Sequence, residues 1–251
     1  MGTSYGPGLI NDGLVAHLDA NDFKSYPNSG SVWHDLGPVP NTSNLARKHL
    51  DINVGTAPFH VSASAPGGQY MDFAGGGTVG ERHFAELNTV GGNEDAHFDF
   101  GTGDYTHEAV FRPDSVSGWI AIIAKGSAGG TGTAMTINPS GQLGLSIDAP
   151  DNTHHHGSAG AISAGQTYHA VISSDRDGNA SYYINGLNRG NHDISGQNQS
   201  VNTNVHWYIG AYNDTNWWFN GRIYFARMYS KALSASEALQ NYHALKNRFD
   251  I

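Results

Sequence analysis

Short segments in which apolar and polar residues alternate recur along most of the chain, and glycine, asparagine, aspartate and proline separate them. Alternation with a period of two places the apolar side chains on one face of a β-strand. The pattern therefore predicts strands at Leu14–Asp19, Tyr70–Phe73, Asp104–Arg112, Trp119–Lys125, Thr133–Ile137, Gln142–Ile147, Thr167–Ser174, Ala180–Ile184, His206–Ala211 and Gly221–Tyr229.

One of these segments and two turns are especially informative. Within Asp104–Arg112, alternation places His107 on one face and Glu108 on the other, which predicts a half-buried strand of a sandwich. The five residues Asp175–Asn179 separate two predicted strands, and Asn185-Gly186 follows the second of them. An Asn-Gly pair is typical of a two-residue hairpin. Both places are therefore predicted to be tight turns.

The C-terminal segment 233–249 is the helix that the sequence predicts. Ser234 and Glu237 have the spacing of a capping box, and Leu233 and Ala238 have that of a hydrophobic staple. Apolar residues follow at helical intervals, namely Leu239, Tyr242, Leu245 and Phe249.

The composition favours an all-β fold. Glycine accounts for 33 of 251 residues, or about 13%, whereas ordinary soluble domains average roughly 7%. Charged residues account for 14%, whereas the ordinary average is roughly 25%. Long charged helices are therefore not expected, and many positions suit turns. Residues 34–66 and 75–103 are rich in turn-forming residues and are predicted to be long loops. We expect one domain over residues 1–251, with residues 1–12 as an N-terminal arm.

Charge and cysteine content exclude several classes of protein. The formal net charge of −9 with dispersed lysine and arginine argues against nucleic acid as a partner. The absence of cysteine excludes disulfides, thiol catalysis and iron–sulfur clusters. No apolar run approaches a membrane span, and the first residues lack the pattern of an export signal. We therefore expect no membrane insertion.

Several motifs resemble those of concanavalin A-like, or laminin-G-like, jelly-roll domains, and together they span nearly the whole chain. They are Gly13–Ala20, Ser25–Gly30, Trp33–Leu36, Tyr70–Phe73, Asp104–Ala109 with Arg112-Pro113, Tyr168–Val171, Tyr182–Gly186, Ile209-Gly210, Phe219–Ile223, Tyr229 and Leu233–Glu237. The resemblance implies a two-sheet antiparallel jelly-roll sandwich with a short C-terminal helix packed on its edge or back.

The opening residues Ser4–Pro7, followed by Gly13–Asp19, resemble a subgroup encoded by tailed bacteriophages, especially those of cyanobacteria and other aquatic hosts. That resemblance implies a non-enzymatic component of a virion that decorates the particle or adheres to glycans of a host surface. Other virion proteins are then expected partners, and the virion is the expected location. The alternatives are a polysaccharide hydrolase or lyase and a bacterial cell-surface lectin.

The spacing of acidic residues argues against a hydrolase. Glycosidases need two carboxylates roughly 5–9 Å apart, and family-16 enzymes of this fold carry three acids on one strand. Here Glu94 and Asp95 are adjacent in a predicted loop, and Glu108 has no acidic partner two residues away. A lyase would instead need tyrosine, histidine and arginine side chains together. The candidates for such a cluster are His107, Arg112, Tyr168, His169 and Tyr183.

A tryptophan-containing segment is the predicted ligand-binding site. Sugars stack on aromatic faces and form paired hydrogen bonds with amides and carboxylates, and Asn213, Asp214, Asn216 and Trp217 combine these groups. Trp218 is expected to begin the last strand and to enter the core, so that Trp217 faces the opposite way. The other tryptophans are expected to be packing residues, namely Trp33, Trp119 and Trp207.

A run of three histidines, His154, His155 and His156, is a second candidate for binding. Consecutive residues of a strand alternate between faces, so at most two of the three could hold one metal ion. An ordinary glycine-flanked solvated loop is the alternative interpretation, and a direct contact with sugar hydroxyls is another.

No cofactor is expected apart from a possible structural calcium ion. Asp175–Asn179 imitates the start of a calcium-binding loop but lacks its closing glutamate. Two sets of oxygen ligands remain as candidates, namely Asp12, Asp19, Asn21 and Asp22, or Asn213, Asp214 and Asn216.

Overall fold

Two antiparallel sheets packed face to face, together with one C-terminal helix, make up the part of the chain that the structure describes. The structure is a computed structural model. It describes residues 7–27, 30, 32–38, 49–53, 68–73, 83–87, 99–126, 130–148, 154–212 and 217–251, with backbone only for 49–53, 87 and 154–156.

Sheet A contains seven of the described strands, and six of them follow the order β1, β15, β6, β11, β12, β13, while β4 pairs with β15. Their bounds are β1 Leu14–Asp19, β4 Met71–Phe73, β6 Tyr105–Pro113, β11 Tyr168–Ser174, β12 Asn179–Ile184, β13 Leu187–Asp193 and β15 Gly221–Tyr229. The first and last described strands are therefore neighbours in this sheet.

Sheet B contains eight described strands in the order β10, β9, β8, β7, β14, β5, β3, β2. Their bounds are β2 Val32–His34, β3 His49–Asn53, β5 Phe84–Leu87, β7 Ile120–Gly126, β8 Gly132–Ile137, β9 Gln142–Asp148, β10 His154–Ala161 and β14 Trp207–Ile209. The predicted two-sheet antiparallel sandwich with a short C-terminal helix is confirmed.

The main core lies between the sheets, where isoleucine and leucine residues of sheet B meet aromatic and small residues of sheet A. Trp33 and Trp207 are buried there, as the sequence predicts. His107 faces the same interior, and its ring centroid lies 5.8 Å from that of Trp207. Burial lowers the pKa of His107 to about 3, so this imidazole is neutral at physiological pH.

Helix α1, Ala235–Phe249, covers the outer face of sheet A. The predicted capping box is confirmed, because the Ser234 side chain accepts from the Glu237 N–H and the Glu237 side chain accepts from the Ser234 N–H. Leu245 and Phe249 pack on residues of β6 and β15. As a result, β6 is buried on both faces, and the prediction of a half-buried strand is wrong because α1 covers the face that alternation left to solvent.

Most predicted strands are confirmed to within one or two residues, and the differences concern the regions predicted to be loops. Strands β3 and β5 occupy parts of 34–66 and 75–103, and β2, β10 and β13 were also missed. The hairpin at Asn185-Gly186 is confirmed, with φ values of 51° and 74°. In the turn over Asp175–Asn179, the Gly178 N–H donates to the Asp175 carbonyl at 3.0 Å.

No helix in the described ranges combines the length and apolar character that a membrane crossing requires.

Candidate functional site

Aromatic side chains collect on the outer face of sheet B. Along β7 and β8 the isoleucine residues face the interior, while Ala121, Ala124 and Ala134 face outward, where they leave space for larger rings. We call this surface the aromatic face, and its six rings belong to Phe84, Trp119, Tyr208, Tyr212, Trp217 and Trp218. The three indoles are half-buried, whereas the three other rings are buried.

The first ring cluster of the aromatic face is centred on Trp217. Its indole stacks on Trp119, with ring centroids 5.2 Å apart and planes inclined by 21°. On the other side, the Tyr212 ring lies 4.4 Å from it. Trp119 precedes β7 and Tyr212 follows β14, and these strands are paired, so the sheet brings the three rings together.

The backbone at Trp217 is strained. Its φ of 53° lies in the left-handed region, which a bulky residue rarely adopts. The conformation lets the Trp217 carbonyl accept from the Ala121 N–H at 2.7 Å, so the segment is joined to the start of β7. Such strain often occurs at ligand-binding positions.

A buried carboxylate fixes the Tyr212 ring. The Tyr212 hydroxyl donates to Asp148 Oδ2, and the Ser146 hydroxyl lies 3.4 Å from the same oxygen. Burial and the Asp148 charge raise the pKa of the Tyr212 phenol, so it remains a donor. The nearby Thr136 hydroxyl is buried and makes no hydrogen bond within the structure.

The second ring cluster is formed by Phe84, Tyr208 and Trp218. The Phe84 ring lies 5.6 Å from both Tyr208 and Trp218. The Tyr208 hydroxyl donates to Glu86 Oε1 at 3.1 Å, and His206 Nε2 lies 3.8 Å from the same oxygen. Each cluster therefore combines rings with one carboxylate.

The structure brings part of the predicted site into this surface. Trp217 lies there, whereas Asn213, Asp214 and Asn216 lie outside the described residues. The histidine run belongs to strand β10 and not to a loop, with His154 opposite Asp148 and His156 opposite Ser146 in the register. Directly paired residues occupy the same face of a sheet, so positions 154 and 156 belong to the outer face and position 155 does not.

The expectation for Trp218 is wrong. Trp218 does not begin the last strand, which starts at Gly221, and it is half-buried on the aromatic face rather than in the main core. Trp119 is also half-buried there. Sequence reasoning missed Tyr212, Asp148 and the phenylalanine–tyrosine pair at 84 and 208, because only strand pairing brings these distant residues together.

The residues considered for catalysis do not converge. His107 lies between the sheets, whereas His169 and Glu108 lie on the opposite face of sheet A under α1, with His169 Nε2 2.7 Å from Glu108 Oε1. Tyr183 packs beside the helix, and Arg112 Nε donates to the Gly165 carbonyl at 3.0 Å. Glu94 and Asp95 lie outside the described residues.

Glu108 is the centre of a fully buried polar network. Its carboxylate accepts from the Tyr229 hydroxyl at 2.9 Å and from the Asn241 amide at 3.1 Å, in addition to His169. Burial opposes ionisation, but these hydrogen bonds and the charges of His169 and Arg227 hold the pKa of Glu108 below its ordinary value. The carboxylate is therefore ionised and enclosed.

The side chains of the first predicted calcium set accept hydrogen bonds within the protein, and a calcium ion there stays a prediction. Asp19 accepts a hydrogen bond from Arg248 at 2.6 Å, and Asp12 accepts from Lys231 at 2.7 Å. Asn21 and Asp22 accept backbone N–H groups. The described residues contain no group of three or more histidine or acidic side chains placed to hold a metal ion. The alternative set at 213–216 remains a prediction.

The match to a sequence family agrees with this architecture. Residues 87–238 match the profile described as the concanavalin A-like lectin/glucanases superfamily. The chain belongs to this superfamily. No match was found among curated proteins.

Solved structures with the same fold include toxin binding domains. The binding domain of botulinum neurotoxin DC aligns in its complex with rat synaptotagmin II (TM-score 0.66, 13% identity, 94% of this chain and 52% of that chain). Its complex with SialylT aligns with a TM-score of 0.67 and 12% identity, over 94% of this chain and 52% of that chain. The binding domain of Paraclostridial Mosquitocidal Protein 1 gives a TM-score of 0.61 and 14% identity, over 92% and 52%. The present protein spans about half the length of each matched chain. At identities of 12–14%, the similarity shows a shared fold alone.

Proposed function

We propose that this protein is a glycan-binding module without enzymatic activity, and that the aromatic face is its binding surface. The observation that carries the proposal is the group of three half-buried indoles, Trp119, Trp217 and Trp218, on one face of sheet B. Aromatic faces stack on the C–H surfaces of sugars, and half-buried indoles bind with little loss of side-chain entropy because packing already holds them.

Preorganisation supports this proposal. Asp148 fixes the Tyr212 ring, Tyr212 packs on Trp217, and Trp217 stacks on Trp119. The indoles are therefore held in place from the sheet outward. Asn213, Asp214 and Asn216, which precede Trp217 in sequence, and the histidines of β10 are proposed to supply hydrogen bonds to sugar hydroxyls.

Binding is tested on a glycan array, followed by calorimetry with the oligosaccharide that binds best. Removing a stacking indole should weaken binding by about 1–3 kcal/mol, or roughly tenfold to hundredfold. Trp119→Ala and Trp217→Ala should each show this loss. Phe23→Ala is the matched control, because Phe23 is 69% exposed and belongs to neither ring cluster. An array without binding, or unchanged affinity in both tryptophan variants, would overturn the proposal.

The absence of catalysis is proposed on the basis of the enclosed acid. Glu108 is fully buried and its carboxylate accepts three donors, so it is poorly placed to protonate a glycosidic oxygen. His107 and His169 lie on opposite faces of sheet A, so they cannot act on one substrate as a pair. Release of reducing ends, or formation of unsaturated sugar ends, that Glu108→Gln or His107→Ala abolishes would establish the enzyme alternative.

We further propose that the module belongs to the virion of a tailed phage, where it decorates the particle or binds host glycans. Support comes from the resemblance of residues 4–19 to phage-encoded relatives. The absence of cysteine is compatible with assembly in a reducing cytosol. Mass spectrometry of gradient-purified particles should detect the protein together with other virion proteins. Its presence only in the soluble fraction of the lysate would exclude this location.

A further inference from the structure

We infer that the aromatic face binds uncharged glycans and discriminates against glycans that carry carboxylate or sulfate groups. This inference rests on the proposed function and specifies its ligand class. It follows from how charges are distributed between the two sides of the sandwich.

The fixed charges described on the aromatic face are negative. Asp148 is 3% exposed and contacts the first ring cluster through Tyr212. Glu86 has a side-chain exposure of 26% and contacts the second cluster through Tyr208. An anionic sugar stacked on the indoles would therefore meet like charges in a partly desolvated environment, where repulsion is stronger than in water.

Cations lie elsewhere in the described part of the chain. Lys125 belongs to sheet B, but its ammonium group forms an ion pair with Asp99. The whole residue is only 3% exposed. Every other described lysine or arginine lies on sheet A, on a loop next to one of its strands, or on α1. His206 lies beside Glu86, and it carries a charge only when protonated.

The sequence extends the same charge pattern next to the first ring cluster. The segments that adjoin β7, β9 and β14 along the chain, 127–129, 149–153 and 213–216, contain Asp151 and Asp214 but no lysine or arginine, whereas Arg47, Lys48 and Arg82 precede β3 and β5 in the sequence. An anionic ligand on the first cluster would lose hydration without gaining a cationic partner. A neutral sugar has no charged group to desolvate. It binds by stacking and by hydroxyl hydrogen bonds, and neither requires a cation.

The test compares matched ligands that differ only in charge. Cellohexaose, laminarihexaose, maltohexaose and chitohexaose are each measured beside the same chain with its C6 hydroxymethyl groups oxidised to carboxylates. Calorimetry is done at pH 8, above the ordinary histidine pKa of about 6.5. We expect each oxidised chain to bind at least tenfold more weakly than its neutral counterpart.

Salt and one variant provide independent measurements. Raising sodium chloride from 20 to 500 mM should strengthen binding of the oxidised chains, because salt screens repulsion, and should leave the neutral chains nearly unchanged. Glu86→Gln removes a negative charge from the aromatic face and should therefore raise the ratio of oxidised-chain affinity to neutral-chain affinity. The amide oxygen of the glutamine can still accept the hydrogen bond from Tyr208. Asp177→Asn removes one charge from an exposed turn of sheet A and should leave that ratio unchanged.

The possible outcomes separate this inference from the proposed function. Equal or tighter binding of oxidised chains, or binding that salt weakens, overturns the inference and leaves the glycan-binding function standing. Absence of binding to both members of every pair overturns both.

Discussion

The two outer faces of this sandwich are built in opposite ways. The outer face of sheet A is closed by α1, and its polar groups, Glu108, His169, Tyr229 and Asn241, form a network without exposed atoms. The outer face of sheet B instead presents half-buried indoles. The same sheet architecture therefore supports a sealed face on one side and an aromatic surface on the other.

The difference shows where stability and recognition reside in this molecule. A buried carboxylate is tolerated only where donors surround it completely, and the sealed face meets this requirement with residues from two strands and a helix. The segment before β1 belongs to the same arrangement, because the Ile10 N–H donates to Asn241 and its carbonyl accepts from Arg227. The sealed face therefore joins both ends of the described chain.

Acid should destabilise the interior and the sealed face. Burial lowers the pKa of His107 to about 3, and burial together with the Arg227 charge lowers that of His17 to about 4. In the unfolded chain both titrate near 6.5, so below that pH the unfolded state binds more protons and stability falls until each folded pKa is reached. Between pH 6.5 and 4.5 the loss should be roughly 5 kcal/mol. Glu108 contributes only at lower pH, because its folded pKa lies below its ordinary value.

Urea unfolding at pH 7.5 and 4.5 measures this loss. His107→Phe should reduce it by about half, since one of the two titrating groups is removed and a ring of similar size fills the space. An equal loss in wild type and variant would mean that the imidazole at 107 is not desolvated.

Glu108→Ala should cost about 4 kcal/mol, because it leaves the donors of His169, Tyr229 and Asn241 buried without their acceptor. For a chain of this size the melting temperature should fall by about 10 °C. A fall of less than about 3 °C would show that solvent enters beneath α1 and that the face is not sealed.

Tyr212→Phe should cost about 2 kcal/mol on the aromatic face, since it removes a buried hydrogen bond to a charged group and keeps the ring on Trp217. Tyr242→Phe is the counterpart on the sealed side. Its half-buried hydroxyl donates to the main-chain oxygen of Ile251 at 3.1 Å, where water can replace the lost donor, so that loss should be about 1 kcal/mol or less. Chemical denaturation of both variants tests the difference, and a larger loss at Tyr242 would contradict it.

Most strands and the helix could be predicted because their information is local. The capping box at Ser234 and the hairpin at Asn185-Gly186 each depend on a few adjacent residues, and both are confirmed. By contrast, β3 and β5 are short segments within glycine-rich and asparagine-rich stretches, where pairing with neighbouring strands outweighs weak alternation.

The candidate site was less predictable because it depends on register. Trp217 could be selected as an aromatic residue beside amides, but its neighbours Trp119, Tyr212 and Asp148 come from three separate parts of the chain. Adjacent indoles at 217 and 218 enter different ring clusters. Simple alternation assigned Trp218 to the core, and it failed because Trp217 has a left-handed backbone and no strand begins there.

The smallest predicted effect tests that backbone conformation directly. Trp217→Gly and Trp217→Ala lose the same stacking on Trp119 and Tyr212, so this loss cancels when the two variants are compared. At a φ of 53° a residue with a Cβ atom is disfavoured by about 1 kcal/mol relative to glycine. We therefore expect the glycine variant to be the more stable of the two in urea. At Trp218, which is not among the positive-φ residues, alanine should be the more stable replacement, because glycine gains more entropy on unfolding. If alanine is preferred at both positions, Trp217 does not hold the left-handed conformation, and the geometry that directs its indole toward Trp119 must be revised.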